Sequence, residues 1–375
     1  MSWGVYQHWD PLKVCIVGKS YPPEFYNWIK VSRVRSLFEK IAQETEEDFQ
    51  QLIKKLQSFD VEVLRPDLPE QTFLNGKYVQ PPMTPRDYMV MIGQTFYENV
   101  CFDFKTFYNN VKDSSWPSCQ TIEEFYTLPQ HIINECNNVH NLQLYTNQPY
   151  EKIINTIKKH STVKHNFYNS GIVNGAMATR VGKDLYFGTE HYNQDKEKLK
   201  QDMSQEFSSY RTHIVNTGGH SDGTFCPVAP GLIISLLDVK NYAETFPGWE
   251  VVYLPNQSWS AVQPFLDLKR QNKGKWWIPG FEYDSAVTDL VETWLNHWTG
   301  YVEETVFDVN MLIVDPKNVI VFNYNKTVFD ALERYGITPH IVNFRHRYFW
   351  DGGIHCVTTD LHREGTMQNY FPERA

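Results

Sequence analysis

Asn310-Met-Leu-Ile-Val314 and Val319-Ile-Val-Phe322 are two apolar runs of strand length, separated by the turn Asp315-Pro-Lys-Asn318. Lys326 to Tyr335 follows as a helical stretch with Gly336 just past its end, and then His340-Ile-Val-Asn-Phe344 reads as a third strand. A glycine at that position takes the left-handed conformation that closes a helix. Two strands, a helix and a further strand are the sequence pattern of an α/β fold.

Upstream the same order returns. Lys13-Val-Cys-Ile-Val-Gly18 is a buried strand; Arg35 to Gln57 carries Leu37, Ile41, Phe49, Leu52, Ile53 and Leu56 near a helical period. Val61-Glu-Val-Leu64 comes next, stopped by Pro66. Asp184-Leu-Tyr-Phe187, a polar helix from Asp195 to Glu206 and Thr212-His-Ile-Val215 make another copy. Leu232-Ile-Ile-Ser235 and Val251-Val-Tyr-Leu254 bracket one more connection. The chain therefore reads as four or five β-β-α-β units that share pattern more than residues. Residues 101–170, rich in Asn, Tyr and Cys, fit this worst and read mostly as loop and helix. No low-complexity tract or Pro/Gly/Ser linker divides residues 1–375, so a single domain is expected.

The 375 residues are 41% hydrophobic and 21% charged, which supports a sizeable core and excludes disorder. Lys plus Arg number 35 against 44 Asp plus Glu, a net charge of −9 that argues against nucleic acid as a partner. The N-terminus lacks a signal-peptide pattern. The longest apolar stretch, Val228 to Leu237, is far short of the roughly 20 residues of a membrane span. A soluble cytoplasmic protein without membrane contact is the expectation. Cys15, Cys101, Cys119, Cys136, Cys226 and Cys356 are widely spaced and form no CxxC pair, so none is expected in a disulfide framework.

Three stretches concentrate residues that a core does not require. Asn216-Thr-Gly-Gly-His220-Ser-Asp222 places an imidazole and a carboxylate on one side of an extended segment, suited to a cation or to a polar turn. Trp350-Asp-Gly-Gly-Ile-His355-Cys356 sets a cysteine after a Gly-Gly bend, where exposure at a rim is expected and a nearby donor would lower the thiol pKa. His346, His355, Cys356 and His362 match no common zinc spacing, so no metal is expected. Pro82-Met-Thr-Pro-Arg86-Asp87 precedes an apolar strand and is by composition an ordinary turn. Gly274-Lys-Trp-Trp-Ile-Pro-Gly280 is a candidate lid or subunit contact.

Taken together, these stretches resemble the glycine amidinotransferase family of guanidino-modifying enzymes. Gly352-Gly-Ile-His-Cys-Val-Thr-Thr-Asp-Leu-His-Arg-Glu-Gly-Thr-Met-Gln-Asn-Tyr370 is similar to that family's C-terminal signature, and Trp9-Asp-Pro-Leu-Lys-Val-Cys-Ile-Val-Gly18 to its first strand. The resemblance implies the pentein fold, a five-bladed α/β propeller of β-β-α-β units around a central pocket. It implies an amidinotransferase in which Cys356 attacks an arginine-type guanidine donor and an amine acceptor then takes the amidino group, with His220 as general acid/base. Asp87 and Asp222 would grip the guanidinium, and Asp308, Arg86, Asn174 and His355 complete the candidate substrate-binding set. The resemblance also implies small-molecule partners and no organic cofactor, with room for a homo-oligomer.

The chain also departs from the family. An Asp-Ala-Ala-Asp type segment, whose second Asp orients the histidine, is here Asn174-Gly-Ala-Met177. Methionine cannot hold an imidazole tautomer, so a slow or impaired enzyme is implied unless another side chain takes that role. The family's carboxylate-binding arginine corresponds to Val239, and a small polar position to Asp308, which favours an amine-rich substrate lacking a carboxylate. A guanidine hydrolase or deiminase, or a non-catalytic binding protein, are the alternatives.

Overall fold

The computed structural model describes residues 2–70, 72–74, 76–98, 108, 112–120, 122–125, 127–133, 148–165, 173–189, 196–261, 278, 280–281, 283–295, 298 and 307–374. Among these lie five three-stranded sheets. Chain order gives four of them directly: Met89–Ile92, Thr95–Glu98 and Thr162–His165; Ala178–Val181, Asp184–Thr189 and Arg211–Asn216; Phe225–Ala229, Leu232–Ser235 and Glu250–Tyr253; and Leu312–Asp315, Asn318–Val321 and Thr338–Ile341. In each, the first strand pairs antiparallel with the middle one and the third pairs parallel with it.

That mixed wiring follows from the connections. The antiparallel pair needs only a tight turn, whereas the parallel pair needs a crossover, here usually helical. Gly182, at φ +63°, makes one such turn, and a Cβ there would lie 2.1 Å from the Gln368 carbonyl. In the last sheet Asp315 closes the turn by accepting from the Lys317 amide and the Asn318 side chain. Lys196–Glu206 and Lys326–Arg334 are crossover helices.

The remaining sheet joins the two ends of the chain. Leu12–Val17 is its middle strand, Glu62–Leu64 runs parallel to it, and the antiparallel partner is Thr358–Arg363. Its crossover helix Ser32–Gln57 buries Val34, Phe38, Ile41, Phe49, Leu52 and Leu56, an apolar stripe at three- and four-residue spacing. Thr358–Arg363 packs against Met89–Ile92, and Leu12–Val17 against Leu312–Asp315, so this sheet touches neighbours on two sides. The late strand thereby fixes Cys356, two residues before it, in the interior.

Several boundaries differ from the sequence reading. The expected strand 340–344 is Thr338–Ile341, because its parallel partner ends at Val321; Val342 and Phe344 carry the apolar run on into the core. Within 101–170, expected as loop and helix, Thr162–His165 is a strand. Cys101, Cys136 and all of Gly274–Gly280 except Ile278 and Gly280 lie outside the described residues. Among the described residues no helix is long and apolar enough to cross a membrane.

Candidate active site

Gly352 and Gly353 lead into a turn in which Val357 N–H donates to the Gly353 carbonyl and Thr358 N–H to that of His355. A Cβ on Gly353 would sit 2.3 Å from Asn310 Oδ1, so only glycine lets the asparagine approach. Asn310, just ahead of the Leu312–Asp315 strand, uses that closeness fully. Its Oδ1 accepts from His355 N–H at 2.9 Å, and its Nδ2 donates to Cys356 Sγ at 3.0 Å and to the Asp222 carbonyl at 3.4 Å.

Asp222 comes from the turn Ser221–Gly223, between the third and fourth sheets in chain order. That turn is tied down by Asp222 N–H to Ala176 O and by Ser221 Oγ to Met177 O. The Asp222 carboxylate Oδ2 accepts from His355 Nδ1 at 2.7 Å and lies 3.7 Å from Cys356 Sγ. Two residues back, His220 Nδ1 faces Asp87 Oδ1 at 3.8 Å, an ion-pair distance and too long for a hydrogen bond. Asn310, Asp222 and the His355 turn, from three separate parts of the chain, thus meet at one thiol. Cys356 itself has no exposed surface, where a rim position was expected, because Asn310, Asp222 and the His355 turn enclose it.

Beneath this turn is a buried charge cluster. Asp360 accepts from Arg86 at 3.0 Å, Arg180 at 2.9 Å and Arg363 at 2.7 Å, all four side chains being fully or almost fully buried. Burial pushes the Asp360 carboxyl upward, but Arg180, Arg363 and Arg86 hold it well below the usual carboxylate range. Arg86 Nε also donates to the carbonyls of His355 and Thr358, both at 2.8 Å. Expected at a substrate, Arg86 is instead turned inward, under the cysteine.

The other expected residues are placed as follows. Asn174 Oδ1 accepts from the amides of Ala176 and Met177, capping the turn into Ala178–Val181. Met177 is buried in an apolar cluster with Val90, Ile92, Leu185 and Phe187. Val239 is buried with Leu232, Tyr242 and Phe246. Asp308 accepts from Gln257 and Asn325 at 2.7 and 2.6 Å; among the described residues none of its hydrogen bonds reaches Cys356, Asp222 or His220.

Two members of the site carry no signal that the sequence reading used. Asn310 stands in the sequence as the start of a strand, and a polar residue leading an apolar run is its one clue. His8 lies outside every motif. Its ring centroid is 6.0 Å from that of His355, and its Nε2 accepts from Arg180 N–H. Between His8, His355, Asp222, Cys226 and Arg363 lies a cavity of about 20 Å³, space for about one water.

Burial, reinforced by Arg86 and His8, holds the His355 imidazole well below its ordinary value, and burial with Arg180 does the same to His8. A neutral His355 must donate its Nδ1 hydrogen, since an ionised carboxylate can only accept. Cys226 differs sharply from a nucleophile: burial and the Asp222 charge push its thiol up to about 12.

The two depressed imidazoles set an acid limit. Below about pH 6.5 the unfolded chain takes up protons at both, while the fold keeps them neutral. The unfolded state then binds more protons, so stability rises with pH there and falls as pH drops. The urea midpoint is expected to decline between pH 7 and 5, by up to about 1.4 kcal/mol per pH unit for each imidazole. His8→Gln should remove about half of that slope; a wild-type midpoint independent of pH would contradict the assignment.

No family model matches the chain. It is 22% identical to mitochondrial glycine amidinotransferase of Xenopus tropicalis, across 98% of this chain and 84% of that protein. It is 23% identical to L-arginine:L-lysine amidinotransferase of Pseudomonas savastanoi pv. phaseolicola, across 52% of this chain and 45% of that one. Among solved structures, SxtG, an amidinotransferase from Microseira wollei, superposes with a TM-score of 0.60 at 16% identity, covering 98% of this chain and 99% of that one. Inosamine-phosphate amidinotransferase StrB1 from Streptomyces griseus gives 0.60 at 17%, with the same coverage. The chain is thus similar in sequence to glycine amidinotransferase over nearly its whole length, and it shares the fold of two solved amidinotransferases.

Proposed function

We propose that the five sheets form the blades of a pentein propeller and that the chain is an amidinotransferase acting through a covalent Cys356 intermediate. The observation that carries this reading is the thiol of Cys356 held by Asn310 Nδ2 at 3.0 Å beside the Asp222 carboxylate, with His220 on the same turn as Asp222. A thiol so placed has a fixed trajectory toward a cation gripped by Asp222 and Asp87.

In the first half-reaction His220 takes the Cys356 proton, and Sγ bonds to the guanidino carbon of an arginine-type donor. The tetrahedral adduct collapses with cleavage of the carbon–nitrogen bond, and His220 returns the proton to the leaving amine. The amidino group left on sulfur is a cation, balanced by the two carboxylates. In the second half-reaction the acceptor amine attacks that carbon and gives a proton to His220. The carbon–sulfur bond breaks, and the proton returns to the thiolate.

Asp87 takes over the task of the carboxylate that Met177 lacks. Its Oδ1 faces His220 Nδ1, a position from which a carboxylate can orient the imidazole. At 3.8 Å this hold is looser than a hydrogen bond, and a slower imidazole step follows from it.

The reading is tested by isotope transfer. With a donor labelled at the guanidino carbon and a primary amine present, label is expected in a new guanidine. Label in urea or a ureido product would replace transferase by hydrolase; label in neither would leave a binding protein.

Val239 bears on the substrate. The position that resembles a carboxylate-binding arginine is filled by a buried valine, so no cation is provided there. Agmatine or a polyamine is expected to bind about tenfold more tightly than arginine or glycine by calorimetry; the reverse order would contradict this.

A further inference from the structure

The buried arginine beneath the nucleophile does more than neutralise a carboxylate. Arg86 Nε donates to the carbonyls of His355 and Thr358, which flank Cys356 and Val357 on either side. Those are the carbonyls from which the cysteine turn is built, since His355 O also accepts from Thr358 N–H and Oγ1. Arg86 is itself immobilised: Nη2 bonds Asp360, which Arg180 holds from another sheet and Arg363 from Asp360's own strand. Its aliphatic stem is confined by Gly175, where a Cβ would come within 2.6 Å of Arg86 Cγ.

We infer that Arg86 is a positioning residue for the amidino-transfer step, fixing the turn that aims Cys356 Sγ, and that it does not bind substrate. The inference rests on Cys356 being the nucleophile. Lysine cannot reproduce this role, because its single ammonium cannot span two carbonyls and a carboxylate in one plane. Asp87 follows directly in the chain, so the clamp also ties the imidazole's carboxylate partner to the cysteine turn.

The test compares Arg86→Lys with Arg211→Lys, which loosens a clamp on the buried Asp184 carboxylate; among the described residues Arg211 makes none of its hydrogen bonds to the cysteine turn. Turnover and the rate of Cys356 alkylation by iodoacetamide are read, the latter by intact mass against Cys356→Ala. Arg86→Lys is expected to lower kcat about 100-fold, with KM for the guanidine donor changed by less than about threefold, and to slow alkylation. Arg211→Lys should change neither. A raised KM with unchanged kcat would assign Arg86 to substrate binding and overturn the inference. So would equal thermal destabilisation of both variants with kcat and alkylation untouched.

If the wild type forms no amidino product, the function proposed above fails while the alkylation rates still decide the role of Arg86. If Arg86→Lys does not fold, hydrogen exchange on the wild type decides. The Val357 amide should be as protected as those of the Thr358–Arg363 strand. Protection at the level of a surface loop would overturn the clamp.

Discussion

Cys356→Ala is expected to reduce amidino transfer on the order of 10⁶-fold, to the uncatalysed background, while leaving the fold intact. Removing a covalent nucleophile removes both half-reactions, and losses of this size accompany deletion of a nucleophile that acts with its base as one unit. The change deletes one sulfur from a site where Asn310 and His355 keep their mutual hydrogen bond, so the thermal midpoint should move little. Cys356→Ser should be nearly as inactive, since a hydroxyl is far harder to ionise than a thiol. Steady-state assays of guanidine formation check both variants. Residual activity within tenfold of wild type would assign the chemistry to another group.

The second large effect concerns stability. Asp360→Leu is expected to cost about 3–5 kcal/mol or more, the usual result of stripping the partner from buried charges. Three guanidiniums converge on this carboxylate from separate elements: Arg86 precedes the second sheet, Arg180 lies in the third, and Arg363 ends the strand that joins the chain's two ends. Without Asp360 they repel one another in a dry interior. Against a total stability typically of 5–15 kcal/mol, much of the chain should unfold at 25 °C or well below the wild-type denaturant midpoint. Asp360→Asn should act in the same direction, because one amide oxygen cannot replace a charge. An unfolding free energy from urea titration that falls by under about 0.5 kcal/mol would show the cluster to be dispensable.

The same carboxylate sets the acid dependence at lower pH. Its folded pKa is depressed, so the stability it confers is fully present above about pH 3.8 and is lost as pH falls through the depressed value. The histidine contribution fades earlier, below about pH 6.5. Acid unfolding therefore has two separable phases in cause, first the imidazoles and then the carboxylate.

Much of the architecture was legible because the module is local. A hairpin, a helix and a returning strand fit within residues 310–344, and each carries its own period and its own turn residues. The Ser32–Gln57 helix was legible for the same reason. Thr162–His165 was not, since a short strand of Thr, Val, Lys and His pairs on one side only and shows no apolar run. Nor could the sequence reveal that Thr358–Arg363 pairs with Leu12–Val17, a contact more than 340 residues apart.

The site divides along the same line. Cys356, His220, Asp222 and Asp87 stand in compact motifs with glycine bends or paired polar residues, and they could be singled out. Asn310 and His8 act through partners far along the chain, 46 residues away for the Asn310–Cys356 bond and 172 for the His8–Arg180 bond. Their chemistry lies wholly in where the sheets bring them. Arg86 was visible but not its direction, because an Arg-Asp pair in a turn reads the same whether it faces solvent, substrate or the underside of a nucleophile.

The covalent amidino-cysteine is the claim on which the rest depends, and intact-protein mass spectrometry tests it most directly. Wild-type protein mixed with excess agmatine or arginine, with no acceptor amine added and the reaction quenched within one turnover, is expected to gain the mass of one amidino group, localised by peptide mapping to Cys356 and absent from Cys356→Ala. An unmodified wild-type protein at saturating donor, or an adduct that persists in Cys356→Ala, would contradict it.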